Sequence, residues 1–146
     1  LHADWEVPEG IKEVVLDSGA KRVGHGSQII NDVSFKNGSI IFNNEAAKYV
    51  FENKIALEIC PTSNVQCGAY SNVSEHSFGE LYKAGFNVTI NTDNRLMSDI
   101  TMSEEVNNVV ESFALTEKDI LSITRNTIQA GFVSPKLKNK ALEKLS

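Results

Sequence analysis

Four times along this chain a short run with strand character breaks off into small polar side chains, and helix-patterned sequence fills the intervals between the breaks. The clusters are HADWE from His2, GHG from Gly24, CPTSN from Cys60 and NTDN from Asn91, taking His2 as the end of a first strand. Alternation of strand and helix implies parallel strands joined by right-handed crossovers. Parallel strands all finish at the same edge, so the clusters are delivered together to the carboxyl edge, where sites of this class are built. The expected architecture is α/β, with four strand–helix units that make half of an eight-unit barrel.

Local signals place the elements. Pro8 suits a first helical turn, Ile11, Val14 and Val15 repeat at helical spacing, and Gly19 can stop that helix. AKRVGHG reads as a brief buried strand followed by a loop. Asn44 caps a helix with Ala46, Ala47, Val50 and Phe51 on one face. KIALEIC is a strand closed by Pro61, and PTSNVQCGAYSNVS is read as a polar loop. Ser74 is read as the cap of a helix that Gly85 ends. FNVTINTD is the last strand. Thr101 with Glu104 forms a capping box, Thr116 caps the next helix, and Ser134-Pro135 opens a lysine-rich one.

Length and charge narrow the class. A chain of 146 residues is one modest domain, and 41% hydrophobic with 23% charged residues excludes disorder. A net charge of -5, with no cluster of basic residues beyond short pairs, argues against nucleic acid or an anionic membrane as partner. The two cysteines, Cys60 and Cys67, match neither a CxxC pair nor a zinc-ribbon half-site, so a reducing, cytoplasmic setting is expected. No apolar run reaches the length of a membrane span and no signal peptide is visible. The absence of an initial methionine suggests an internal or processed segment.

Each candidate functional residue has a bland alternative. His2 alone suits a structural role, His76 at a helix start suits packing or solvation, and Asp93 suits a turn cap. His25 is better placed, because glycine on both sides leaves the imidazole accessible. What the bland readings do not explain is the shared edge. Imidazole and carboxylate are usual ligands of zinc, a catalytic zinc keeps one position open for water, and the pKa of that water falls to about 7.

RVGHG at Arg22–Gly26, LEICPTSN at Leu57–Asn64 and NTDN at Asn91–Asn94, in this order and spacing, resemble the C-terminal half of an adenosine deaminase. HA at His2-Ala3 falls where that family writes His-Ala-Gly-Glu. The resemblance covers nearly all of the chain and implies strands 5–8 of a zinc-dependent (β/α)8 TIM barrel of the metal-dependent hydrolase type. It implies His2 and Asp93 as zinc ligands and His25 as the residue that orients the attacking water and takes its proton. It implies hydrolysis at C6 of a purine nucleoside, adenosine giving inosine and ammonia. Adenine or another aminopurine as substrate, or a degenerate barrel that binds purines without turnover, are the alternatives.

Three departures qualify the resemblance. Asn94 stands where the family often places a second aspartate that hydrogen-bonds purine N7; an asparagine amide is already a donor. Trp5 falls on the position of the glutamate that protonates N1, and a local shift brings Asp4 or Glu6 there, Glu6 having the longer reach. The His-x-His that supplies two further zinc ligands in the family does not occur in these residues. The expectation is therefore one part of a single barrel domain, residues 1–146, whose N-terminal half is a further segment or a partner.

Overall fold

The computed structural model describes residues 2–3, 11, 13–36 and 38–145. The strands are β1 (His2–Ala3), β2 (Arg22–His25), β3 (Val33–Lys36), β4 (Ser39–Phe42), β5 (Ala56–Ile59) and β6 (Val88–Ile90). The α-helices are α1 (Glu45–Glu52), α2 (Pro61–Gln66), α3 (Phe78–Ala84), α4 (Arg95–Ser98), α5 (Met102–Phe113), α6 (Glu117–Ala130) and α7 (Pro135–Leu142). Strands β1, β2, β5 and β6 form one sheet in that order, and each neighbouring pair is parallel. This is the α/β half-barrel expected from the alternation, with β1 and β6 at its edges among the described residues.

The alternation of side chains gives the sheet two unlike faces. Val23, Leu57, Ile59, Val88 and Ile90 are buried and join one core with Val50 of α1, Phe78 and Leu81 of α3, Val109 of α5 and Ile123 of α6. The intervening positions are polar or small. Gly24, Glu58 and Thr89 are register partners across β2, β5 and β6, and His2 in β1 is paired with Gly24. Arg22 and Glu58 form an ion pair at 3.2 Å with about a third of each side chain exposed (30% and 32%). Parallel sheets are ordinarily covered on both faces, and among the described residues the helices contribute Val50, Phe78, Leu81, Val109 and Ile123 to the apolar one.

Several helix ends follow the local code. Asn44 accepts the Ala47 N–H at 2.8 Å, Gly85 takes φ 90° after α3, and capping boxes at Thr101/Glu104 and Thr116/Asp119 open α5 and α6. Elsewhere the structure departs from the expectation. PTSNVQ is helical rather than a loop, because Pro61 sits at the first position of α2, where its missing N–H costs nothing. Ser74 is not a helix cap: it lies within a 3-10 turn, Val73–Glu75, that Asn72 caps, and α3 begins only after Ser77. The segment after GHG is ordered as a 3-10 helix, Ser27–Asp32, and the antiparallel hairpin β3–β4. Asn-Gly at positions 37–38 between alternating residues was the legible signal for that hairpin.

Of the helix expected from Pro8 to Gly19, the described part is a π-helical turn, Glu13–Asp17, with Ile11 and Val15 buried. Pro8, Asp4, Trp5 and Glu6 lie outside the described residues, and the account of His2 is limited to its place in β1.

Gly26 seats the loop after β2 on the core. Its φ is +68°, and a Cβ there would lie 2.9 Å from Leu57 Cδ2 and 3.0 Å from Val23 Cγ1. Gly26→Ala combines overpacking with an unfavourable left-handed backbone and is expected to cost about 1–3 kcal/mol. Urea unfolding of the complete protein measures this; an unchanged midpoint would refute the packing role.

Candidate active site at the carboxyl edge of the sheet

Two of the expected site residues meet where β2 and β6 end. His25 closes β2 and Asp93 follows β6 by three residues, and His25 Nε2 lies 3.7 Å from Asp93 Oδ2. Both are non-glycine residues with left-handed backbones, φ 55° and 56°. That conformation costs about 1–2 kcal/mol for each residue and persists only where surrounding structure imposes it. Strain of this kind is concentrated at functional sites. His25 is only 8% exposed, whereas the Asp93 side chain is 34% exposed.

The CPTSN segment supports both groups from one short helix. Ser63 donates its hydroxyl to Asp93 Oδ2 at 2.7 Å. The adjacent Asn64 places Nδ2 3.2 Å from His25 Nδ1 and Oδ1 3.2 Å from His76 Nε2. Glu105 of α5, fully buried, accepts the Thr62 N–H at 2.9 Å and so ties the start of α2 to the helical layer. Its Oε2 is buried without a hydrogen-bond partner among the described residues.

Of packing and solvation, the two roles that its position suits, His76 takes the first: it is 3% exposed and its ring lies 4.0 Å from that of Tyr70, centroid to centroid. It is also joined to His25 through Asn64. Burial, and then the neighbouring charge of His25, lower its pKa from 6.5 to about 4. Cys60, just before α2, donates its thiol to the Glu58 carbonyl at 3.3 Å. Burial first, and then the carboxylates of Asp93, Glu105 and Glu58, push that thiol up to about 12. In these surroundings the thiol is held in its protonated, weakly nucleophilic form.

The remaining expected residues stand differently. Asn94 is exposed and caps α4, its Oδ1 accepting the Met97 N–H at 3.2 Å. No hydrogen bond among the described residues engages its NH₂ group. Glu6 lies outside the described residues. His2 is placed by β1 one strand from His25, since Ala3 is the register partner of His25. Among the described residues no three His, Cys, Asp or Glu side chains gather as a metal cage.

The fold is that of deaminase and amidohydrolase barrels. The structure superimposes on adenine deaminase from Arthrobacter aurescens with a TM-score of 0.86 at 21% identity, covering 99% of this chain and 41% of that one. A second solved structure, an amidohydrolase with bound Zn, gives a TM-score of 0.76 at 20% identity, covering 99% and 40%. The sequence is 40% identical over 123 residues to adenosine deaminase of Mycobacterium sp. (strain JLS), across 84% of this chain and 34% of the relative. The family profile described as adenosine deaminase matches residues 2–146, and the chain belongs to that family. It spans about a third of the length of the curated relatives it matches.

The lowered pKa of His76 has a consequence for stability. An unfolded chain takes up a proton at this ring below about pH 6.5, whereas the folded chain does so only near pH 4. The contribution of the neutral ring is thus intact above pH 6.5 and is lost as pH falls toward 4, by about 3 kcal/mol in total. Urea unfolding of the complete protein between these limits is expected to show a loss that His76→Gln removes; equal pH slopes for both proteins would refute it.

Proposed function

We propose that the complete protein hydrolyses adenosine to inosine and ammonia, and that this chain is the C-terminal half of its barrel. The observation that carries the reading is the pairing of His25 with Asp93 at the carboxyl edge of a parallel sheet, in a chain that the family profile matches from residue 2 to 146. The 40% identity to an adenosine deaminase favours the nucleoside over free adenine as substrate. The better superposition on an adenine deaminase, at 21% identity, speaks for the fold alone. Turnover of adenosine compared with adenine tests that preference.

The donor set fits a zinc ion in part. Among the described residues, no hydrogen bond engages Asp93 Oδ1, and the Ser63 bond orients the carboxylate through its other oxygen. Asp93 and His2 would hold the metal, and further ligands would come from the other half of the barrel, since two protein ligands are too few for a catalytic zinc site. When bound, zinc supplies Lewis-acid activation of water at neutral pH.

The chain's own residues divide the remaining work. His25 orients the attacking water beside Asp93. Glu6 is the proposed donor to purine N1, and the Asn94 NH₂ group, left over from capping, is the proposed donor to N7. The N-terminal half covers the polar face of the sheet that carries Arg22 and Glu58 and closes the edges at β1 and β6. Among the described residues no helix is long and apolar enough to cross a membrane. Both cysteines are free, which suits the cytoplasmic setting proposed here.

Two substitutions in the complete protein test these roles. Asp93→Ala is expected to abolish tight zinc binding, measured as metal per protein after dialysis; a full equivalent of retained metal refutes the ligand role. His25→Ala is expected to keep the metal and lower kcat by about 10²–10⁴. A near-normal rate of ammonia release shows that the water is oriented by another group.

A further inference from the structure

One chain of hydrogen bonds runs from the backbone of α3 to His25, and the protons along it can be assigned in only one way. The Phe78 backbone N–H donates to His76 Nδ1 at 2.9 Å. A backbone amide is a donor only, so Nδ1 is the bare nitrogen of that ring, and the proton of the neutral imidazole sits on Nε2. His76 Nε2–H therefore donates to Asn64 Oδ1 at 3.2 Å. With its oxygen directed at His76, the Asn64 amide turns its NH₂ group to His25 and donates to Nδ1 at 3.2 Å. His25 Nδ1 is thus an acceptor, and the proton of neutral His25 is on Nε2, the nitrogen 3.7 Å from Asp93 Oδ2.

We infer that Asn64 and His76 are positioning residues that lock His25 in its Nε2–H tautomer, so that it presents an N–H donor to the site. The locking is strict because the intermediate groups are cut off from water. Asn64 is 2% and His76 3% exposed, and a buried amide turned the wrong way would set NH₂ against N–H on one side and oxygen against a bare nitrogen on the other. Each mismatch costs about 1–3 kcal/mol. The protonation state of His76 is held by the same surroundings, since burial and the charge of His25 keep the ring neutral down to about pH 4. The Tyr70 ring packs against His76 at a tilt of 33°. Ser77 donates to the Ser27 carbonyl at 3.0 Å, so the Tyr70 hydroxyl is the donor in its 2.8 Å bond to Ser77, which holds that ring in place.

The role of His25 changes accordingly. A nitrogen that already carries a proton has no lone pair with which to take another, so neutral His25 orients an oxygen at the site by donating to it. The expectation that it accepts the water's proton requires the opposite tautomer. The role of His25 in turnover rests on the deaminase reading; its tautomer does not.

The test reads the tautomer directly. In the complete protein with ring-15N histidine, zinc-free and zinc-loaded at about pH 8, well above the ordinary imidazole pKa, two-bond nitrogen–proton correlations distinguish the two tautomers. The His25 signals are identified by their loss in His25→Gln. The wild-type spectrum is expected to show Nε2–H for both His25 and His76, and Nδ1–H at His25 overturns the inference whatever the variants do. Asn64→Asp removes the donor and is expected to move His25 to Nδ1–H while lowering kcat about 10–100-fold, with KM changed far less. His76→Gln keeps an N–H donor for Asn64 and is expected to preserve the His25 pattern. An Asn64→Asp spectrum identical to wild type overturns the relay. A protein that shows the expected spectrum yet releases no ammonia from any aminopurine overturns the deaminase reading and leaves the relay standing.

Discussion

Parallel pairing of β2 with β5 is the constraint on which the rest depends. A parallel partner cannot be reached by a tight turn, so the chain after β2 must travel back along the sheet before β5 begins, and it does so through the 3-10 helix, the β3–β4 hairpin and α1. The same necessity sends β5 back through α2 and α3 to β6. Each return packs apolar side chains on one face of the sheet, and each strand ends at the same edge. Core and site are therefore two results of one geometry: Val23, Leu57 and Val88 enter the core as register partners, and the polar clusters are collected beyond them.

Burial makes this edge specific. His25 and Asp93 hold left-handed backbones that few side chains adopt unaided, and the contacts around them offset that strain. Ser63 and Asn64 supply such contacts from α2, and Glu105 of α5 holds the start of that helix through the Thr62 N–H. Because Asn64 and His76 are shielded from solvent, their hydrogen bonds have no water to fall back on, and a donor at one end of the relay dictates the proton at the other. In an exposed setting the same residues would exchange partners with water and dictate nothing.

Much of this was legible in the sequence because it is local. Asn44, Thr101 and Thr116 cap helices through bonds to residues three positions away, and the polar clusters at Gly24 and Asn91 mark strand ends by composition. Local signals also misled. CPTSN looks like a loop by its polarity, yet Pro61 was a helix-start signal beside it. Ser74 looks like a cap, but Asn72, two residues earlier, captures the turn. Asn64 was marked only as part of the CPTSN cluster, with no role of its own, and Glu105 carried no signal at all; a glutamate is a surface residue by type, and only burial, 2% exposed for Asn64 and 0% for Glu105, makes the two matter.

The division is physical. Periodicity, caps and turn residues act over a few positions, so the sequence by itself determined the strand–helix alternation, the carboxyl edge and the arrival of His25 and Asp93 at it. Which groups touch there depends on contacts between residues far apart in the chain. Asn64 meets His25 across 39 positions, Ser63 meets Asp93 across 30, and Glu105 meets Thr62 across 43. No local pattern encodes such distances. Only the tertiary structure, by shielding these groups from water, decided which of them must satisfy one another.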